Sequence, residues 1–228
     1  MVKNPLGKRV FRELRSEAGK YIVIFLLLAM TIALVSGFLV ADGSMLIAYN
    51  ESFEKYNVEY GNFRVEKKLN KAQKKYISKV GISLYDNFYV EEPFDNGTTL
   101  RIFQTRQQVN TPCLMSGSLP IGRDQIAIDR MYADNNGLTV GDILTSKGKN
   151  WTVSGLIALP DYSALFQDNN DTMFDSLQFG VAIVPEESFA QFSEDRLFYS
   201  YSWLYDTPPK DEEQEKNMAE DVMTAVNQ

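Results

Sequence analysis

Residues 21–40 read YIVIFLLLAMTIALVSGFLV, twenty positions without a charge, and this stretch divides the chain into parts of opposite character. At a rise of about 1.5 Å per residue, a helix of that length covers the roughly 30 Å hydrocarbon core of a bilayer. A secretory leader has a shorter apolar run, about 7–15 residues, closed by a small-x-small cleavage site. Here the run is longer and Ala41-Asp42-Gly43 sets an acid inside the junction, so a retained transmembrane helix over 21–41 is expected.

The flanks orient it. Residues 1–20 carry six basic residues (Lys3, Lys8, Arg9, Arg12, Arg15, Lys20) against Glu13 and Glu17, a net +4. Residues 41–228 carry seventeen basic and twenty-eight acidic residues, a net −11, and only Lys55 is basic in the twenty positions after Val40. Cationic flanks stay on the cytoplasmic side, which predicts a cytoplasmic N-terminus and residues 42–228 outside the cell.

Three features surround the span. Ala29, Ala33, Gly37 and Ala41 repeat at i+4 and make a small-residue stripe. Such stripes let a second helix backbone approach closely where apolar burial gives no drive, although Ala and Gly are also simply common in membrane helices. Ahead of the span, Asn4 and Pro5 suit a helix start, with Leu6, Val10, Phe11 and Leu14 on one side and Lys8, Arg9, Arg12 and Arg15 on the rest. This predicts a basic amphipathic helix over 1–20 lying among anionic headgroups; the plainer reading is a basic tail that only sets topology. After the span, Leu46, Tyr49, Phe53 and Tyr56 repeat at 3-4-3 spacing, which predicts that the helix runs on as a stalk over 42–59. These four side chains either couple to a second helix or pack onto the outer domain.

Composition removes several chemistries. The chain has no histidine, which excludes Ser-His-Asp and Cys-His nucleophile systems, HExxH zinc sites and imidazole relays. One cysteine, Cys113, permits no intrachain disulfide and no thiolate metal cluster; it reads as a small apolar residue of a core or strand. No Walker A or dinucleotide glycine loop is present, so any ATP is bound by another chain. Asp161, Asp168, Asp171 and Asp175 lack calcium-loop spacing and its closing Glu, and read as solvated loop residues. The sequons at Asn50, Asn96, Asn150 and Asn170 matter only in a eukaryotic secretory pathway. Acid–base chemistry falls to carboxylates alone and no paired-carboxylate motif is visible, so the chain is not expected to be an enzyme.

From residue 60 the periodicity mixes strand and helix. Strands are predicted over Gly61–Val65, Ser83–Val90, Thr99–Thr105, Leu144–Ser146, Trp151–Leu156 and Leu177–Val184, with Gln125–Asn136 a strand running into a helix. Turns are expected at Asp95-Asn96-Gly97 and over 147–150. Helices are predicted over Leu69–Val80, from Pro185 through Phe192, and over Lys210–Gln228 with Met218, Val222, Met223 and Val226 inward. Tyr199, Tyr201, Trp203 and Tyr205 share one face of a strand; sheet packing is the ordinary account and an aromatic ligand platform the other. Interspersed strands and helices with hairpins argue for an α+β domain over 60–228.

Within that domain, Gly117–Pro120 (GSLP), Gln125–Asp129 (QIAID), Leu138–Asp142 (LTVGD) and Thr152–Gly155 (TVSG) follow one another in order. Behind the head KNPLGKRVFRELRSEAGKYIVIFLLLAMTIALVSGFLVADGSM, this succession resembles the FtsX/MacB-like ABC transporter permeases. The resemblance implies an extracytoplasmic α+β domain of the MacB periplasmic core type, on one N-terminal transmembrane helix that continues into a stalk. It further implies a bacterial cell membrane, a separate cytoplasmic ABC ATPase that holds the ATP, and no cofactor bound by this chain. The remaining partners it implies are the lipid bilayer and further transmembrane helices, from the rest of the permease or a second copy; nucleic acid is not among them. ATP-driven motion would pass along the stalk to the outer domain, for export or extraction of a peptide, lipid or drug, or for mechanotransmission. Relatives of this pattern carry three further spans, so the chain, ending at Gln228 in a charged helix, is expected to be part of a longer permease. The rival expectation is a single-pass envelope sensor or interaction protein with no ATPase.

Overall fold

Hydrophobic period, caps and turn residues place the elements of this computed structural model, which describes residues 15–162, 164–167 and 172–227, with backbone alone for 41–50. The chain divides into two units, Met1–Glu51 and Ser52–Gln228. Helix α1 (Ala18–Lys55) runs 38 residues, about 57 Å at 1.5 Å per residue. Its stretch Ala18–Val40 is long and apolar enough to cross a membrane, with side chains exposed on every face. The Thr31 hydroxyl donates to the Leu27 carbonyl at 2.8 Å, so it is satisfied within the helix, as a hydrocarbon environment requires. The expected basic helix cannot be placed: Leu6, Arg9, Val10, Phe11, Arg12 and Leu14 lie outside the described residues.

The second unit begins with the end of α1. There follow β1 (Gly61–Val65), α2 (Lys71–Ile77), a 3-10 turn (Ser78–Val80), β2 (Ile82–Asp86), β3 (Tyr89–Pro93), β4 (Thr99–Gln104) and β5 (Cys113–Gly117). Next come β6 (Gln125–Asp129), α3 (Arg130–Asn136), β7 (Ile143–Ser146), β8 (Lys149–Ala158) and β9 (Phe179–Val184). The last elements are α4 (Glu186–Phe189), β10 (Tyr199–Tyr205) and α5 (Glu212–Val226). Local chemistry sets their ends. Asn70 caps α2 in a box with Gln73, accepting from the Ala72 and Gln73 amides at 2.9 Å. Asp129 caps α3 and Gly137 closes it at φ +64°, the conformation that glycine adopts without steric cost.

Two sheets result, and the architecture is α+β. The first is antiparallel in the order β1-β10-β2. One of its faces meets α2 and α5 around Phe63, Ile77, Ile82, Tyr201, Trp203, Tyr205 and Val222. The second is mixed, β3-β4-β9-β6-β8-β5, with β7 paired to the start of β8. Its β9 is buried at every position, as a central strand covered on both faces is. The chain leaves the first sheet after β2, builds the whole second sheet, and returns in β10.

That path corrects several expectations. Ser83–Val90 is two strands in different sheets, parted at Asn87 and Phe88, where the chain changes sheets. The hairpin turn is Lys147-Gly148 alone, with φ +48° and +79°, the pair of positive values that a two-residue type I′ turn needs. The stalk helix stops at Lys55 instead of reaching 59. Met223 points outward at 46% exposure, while Val222 and Ala225 are the buried residues of α5. Strand β5 had no periodicity to reveal it, because four of its five residues are exposed on a sheet edge.

Candidate functional site

Where α1 ends, its backbone is closed and then held. Asn57 adopts φ +48°, and the Asn57 and Val58 amides donate to the Glu54 and Phe53 carbonyls at 3.3 and 3.1 Å. This is a Schellman closure with Asn in the glycine position. It turns the chain so that residues 56–59 meet the loop joining β4 to β5.

The meeting is a mutual clamp of polar groups. The Tyr56 carbonyl accepts from the Thr111 amide at 2.9 Å and from its hydroxyl at 3.1 Å. The Asn110 amide donates to the Asn57 carbonyl at 3.0 Å, and Asn57 Nδ2 donates to the Gln108 carbonyl. Asn110 is fully buried and itself at φ +49°; its Oδ1 accepts from the Glu59 amide at 2.9 Å, and its Nδ2 donates to Glu59 Oε2 at 2.6 Å. Each such bond adds about 0.5–1.5 kcal/mol, more where a carboxylate accepts, and removing one partner strands the other.

Two of the side chains expected to couple the stalk sit here. Tyr56 Oη lies 2.9 Å from Cys113 Sγ, tying the helix end to β5. The Phe53 ring meets Tyr60 edge-on at 6.0 Å, and Tyr60 packs against Tyr205 of β10 at 4.7 Å. The side chains of Leu46 and Tyr49 lie outside the described residues. Ala29, Ala33 and Gly37 fall at i+4 within α1, and a Cβ on Gly37 would meet nothing within 4 Å; the Ala41 side chain is not described. Sequence reasoning missed Asn57, Glu59, Asn110 and Thr111, whose bonds join positions about fifty residues apart with no local pattern.

The same loop is anchored in the second sheet. The Thr105 amide and hydroxyl both donate to the Val184 carbonyl, at 2.9 and 3.0 Å. Arg106 Nη1 pairs with Asp161 Oδ1 at 2.6 Å, with both side chains only 7% exposed, and its guanidinium lies over the Phe103 ring. Earlier on β4, Arg101 pairs with Glu91 at 2.6 Å and donates to Tyr162 Oη at 3.0 Å. Burial drives the Tyr162 hydroxyl up to about 12, and the neighbouring Asp161 adds to this against the pull of Arg101. Tyr162 is therefore a neutral hydrogen-bonding group at physiological pH.

The other singled-out residues have structural work. Tyr201, Trp203 and Tyr205 are buried in the first core, so the aromatic face packs inward. Asp161 pairs with Arg106, Asp175 accepts from the Leu177 amide at 3.0 Å, and Asp168 and Asp171 lie outside the described residues. In the ordered motifs, Gly117 and Gly155 face each other across β5 and β8. A Cβ on Gly117 would stand 2.4 Å from the Ser154 carbonyl oxygen, and one on Gly155 2.4 Å from that of Ser118. The two glycines of GSLP and TVSG thus serve one close backbone approach. Asp142 Oδ2 accepts from the Thr139 amide and hydroxyl, at 2.7 and 3.0 Å, which shapes the LTVGD turn. Among the described residues, no three His, Cys, Asp or Glu side chains converge as metal ligands do.

The geometry defines an α+β domain hydrogen-bonded to the end of a helix that is able to cross a membrane. No protein-family model matches the chain, and no curated protein sequence matches it. Among solved structures, the chain is similar to the extracellular domain of the noncanonic ABC-type transporter YknZ from Gram-positive bacteria. That likeness covers 75% of this chain and 92% of the other, at 12% identity and a TM-score of 0.37. It is also similar to the periplasmic region of MacB from Actinobacillus actinomycetemcomitans, over 71% of this chain and 76% of that one, at 11% identity and a TM-score of 0.39.

Proposed function

We propose that this chain is the N-terminal part of an ABC transporter permease, passing ATP-driven motion from a separate cytoplasmic ATPase to its extracytoplasmic domain. The observation that carries the reading is α1 itself, one unbroken helix from Ala18 to Lys55, followed directly by Tyr56, Asn57 and Glu59, which are hydrogen-bonded to the loop 105–112. About 23 residues suffice for the bilayer, and the other fifteen reach about 22 Å further. A helix clamped at one end transmits axial or tilting displacement, because its backbone bonds resist stretching where a loop would absorb the movement.

In this reading the N-terminus is cytoplasmic, from the charge asymmetry, and residues 42–228 lie outside a bacterial cell membrane. The chain binds no cofactor and catalyses nothing itself. Its load is a peptide, lipid or drug to be exported or extracted, or a partner to be activated. Ala29, Ala33, Gly37 and Ala41 form the seam for further transmembrane helices.

The test is affinity purification of the full-length protein from its native membrane in mild detergent. A Walker A subunit in stoichiometric amount, with vanadate-sensitive ATP hydrolysis, is the expected result. A protein that purifies without any ATPase contradicts the reading, and leaves a single-pass sensor or interaction protein.

A further inference from the structure

Residues 159–162 and 164–167 run back over β4 after β8 ends, and two arginines hold them there. Arg101 Nη1 donates to Tyr162 Oη at 3.0 Å and its Nη2 to the Gln167 carbonyl at 2.6 Å, while Gln167 Nε2 donates to Glu91 at 3.3 Å. Arg106 holds Asp161 in a pair almost removed from water. Leu165 is buried beneath the segment, and the Tyr162 ring packs on Phe103 at 5.9 Å. Beyond it, Phe166 and Phe174 meet edge-on at 5.8 Å with both rings partly exposed.

The hold is incomplete at one point. Among the described residues, Arg106 Nε and Nη2 are buried and have no hydrogen-bond partner. Groups left so bear a desolvation cost that water relieves as soon as it enters. The closed arrangement therefore carries a local penalty at the residue that joins this segment to the loop 105–112, the loop that clamps the end of α1.

We propose that residues 159–162 and 164–167 form a strap over the second sheet, and that the Arg106–Asp161 pair makes its opening depend on the helix-end clamp. Loosening the clamp shifts loop 105–112; Arg106 moves with the loop, its orphaned donors gain water, and Asp161 and the strap come free. Arg101 keeps its own partner Glu91 in either state, so β3 and β4 stay paired. The inference deepens the reading above, in which α1 moves, by naming the segment that responds. Its test needs neither nucleotide nor ATPase, so the strap fails or stands apart from the transporter reading.

The experiment is amide hydrogen exchange on the full chain in detergent, comparing wild type, N57G, R106M/D161L and the triple variant. N57G deletes the side-chain bond to Gln108 while glycine suits φ +48°, so the helix closure remains. R106M/D161L removes both charges together and leaves neither buried alone. Loss of one hydrogen bond predicts roughly fivefold faster exchange in loop 105–112 for N57G. The proposal requires the same direction of change in 159–167 with β3 and β4 unaltered, and no further effect of N57G on 159–167 once R106M/D161L is present. Faster exchange confined to 105–112 overturns it, as does an equal rise across β3, β4 and β9, or an N57G effect on the strap that survives R106M/D161L.

Discussion

Glu92 shows how a single residue ties two strands and a loop together. It is almost fully buried, accepts from the Ser146 hydroxyl and Arg196, and lies 3.4 Å from Lys147. Burial alone pushes its carboxyl up; the bonds from Ser146 and Arg196 and the charges of Arg196 and Lys147 outweigh that and hold it below its ordinary 4.5. A carboxyl depressed in the folded state stabilises the fold fully above its unfolded pKa, and that contribution is lost as pH falls through the lower folded value. The urea midpoint of wild type is therefore expected to fall as pH drops below about 4.5, and that of E92Q to fall less over the same range. Equal slopes in urea titrations at stepped pH contradict this. None of it was legible in the sequence, since Glu92, Ser146 and Arg196 are scattered and their convergence depends on the topology of the second sheet. Asn57 and Asn110 were equally hidden, because a left-handed asparagine looks like any other until its partner is placed.

At the scale of the element, hydrophobic period told most of the story. Strand β1, the β6-to-α3 passage and β10 appear where the sequence pattern put them, while the caps Asn70, Asp129 and Asp211 that set the helix starts emerge only in the structure. What failed depended on neighbours. Apolar continuity through Ser83–Val90 says nothing of a change of sheet at Asn87, and the exposed edge strand β5 has no buried face to betray it. The facing of α5 is a sharper case, because Val222 and Met223 are adjacent and only packing decides which is inside. V222A should lower stability by about 1–3 kcal/mol, whereas M223A should stay within about 0.5 kcal/mol. Chemical denaturation of both variants checks this, and the reverse order contradicts the packing of α5. Within α1, A33L/G37L fills the proposed seam with bulk. Loss of co-purifying membrane partners with unchanged circular dichroism is expected, and intact complexes contradict the seam.

For the whole molecule, the apolar run and the mixed periodicity made a helix able to cross a membrane and an α+β domain legible from sequence, and the glycines at 117 and 155 give two of the ordered motifs one shared close backbone approach. The route by which a helix end engages the domain was not legible, because it runs through backbone carbonyls, the exposed Asn57 and the buried Asn110, which no pattern marks. That route is also what the proposed function depends on most. The single cysteine offers a direct view of it: Cys113 is half-buried, and its sulfur lies 2.9 Å from Tyr56 Oη. The decisive measurement is the rate at which a membrane-impermeant maleimide labels Cys113 in the native membrane complex, followed by mass on this chain, with and without ATP and vanadate. If ATP-driven motion reaches the domain through the clamp, the labelling rate changes by roughly fivefold or more between the two states, as the loss or gain of one hydrogen bond implies, and Y56F shifts the nucleotide-free rate. Identical rates in both states, in a complex that hydrolyses ATP, contradict the account.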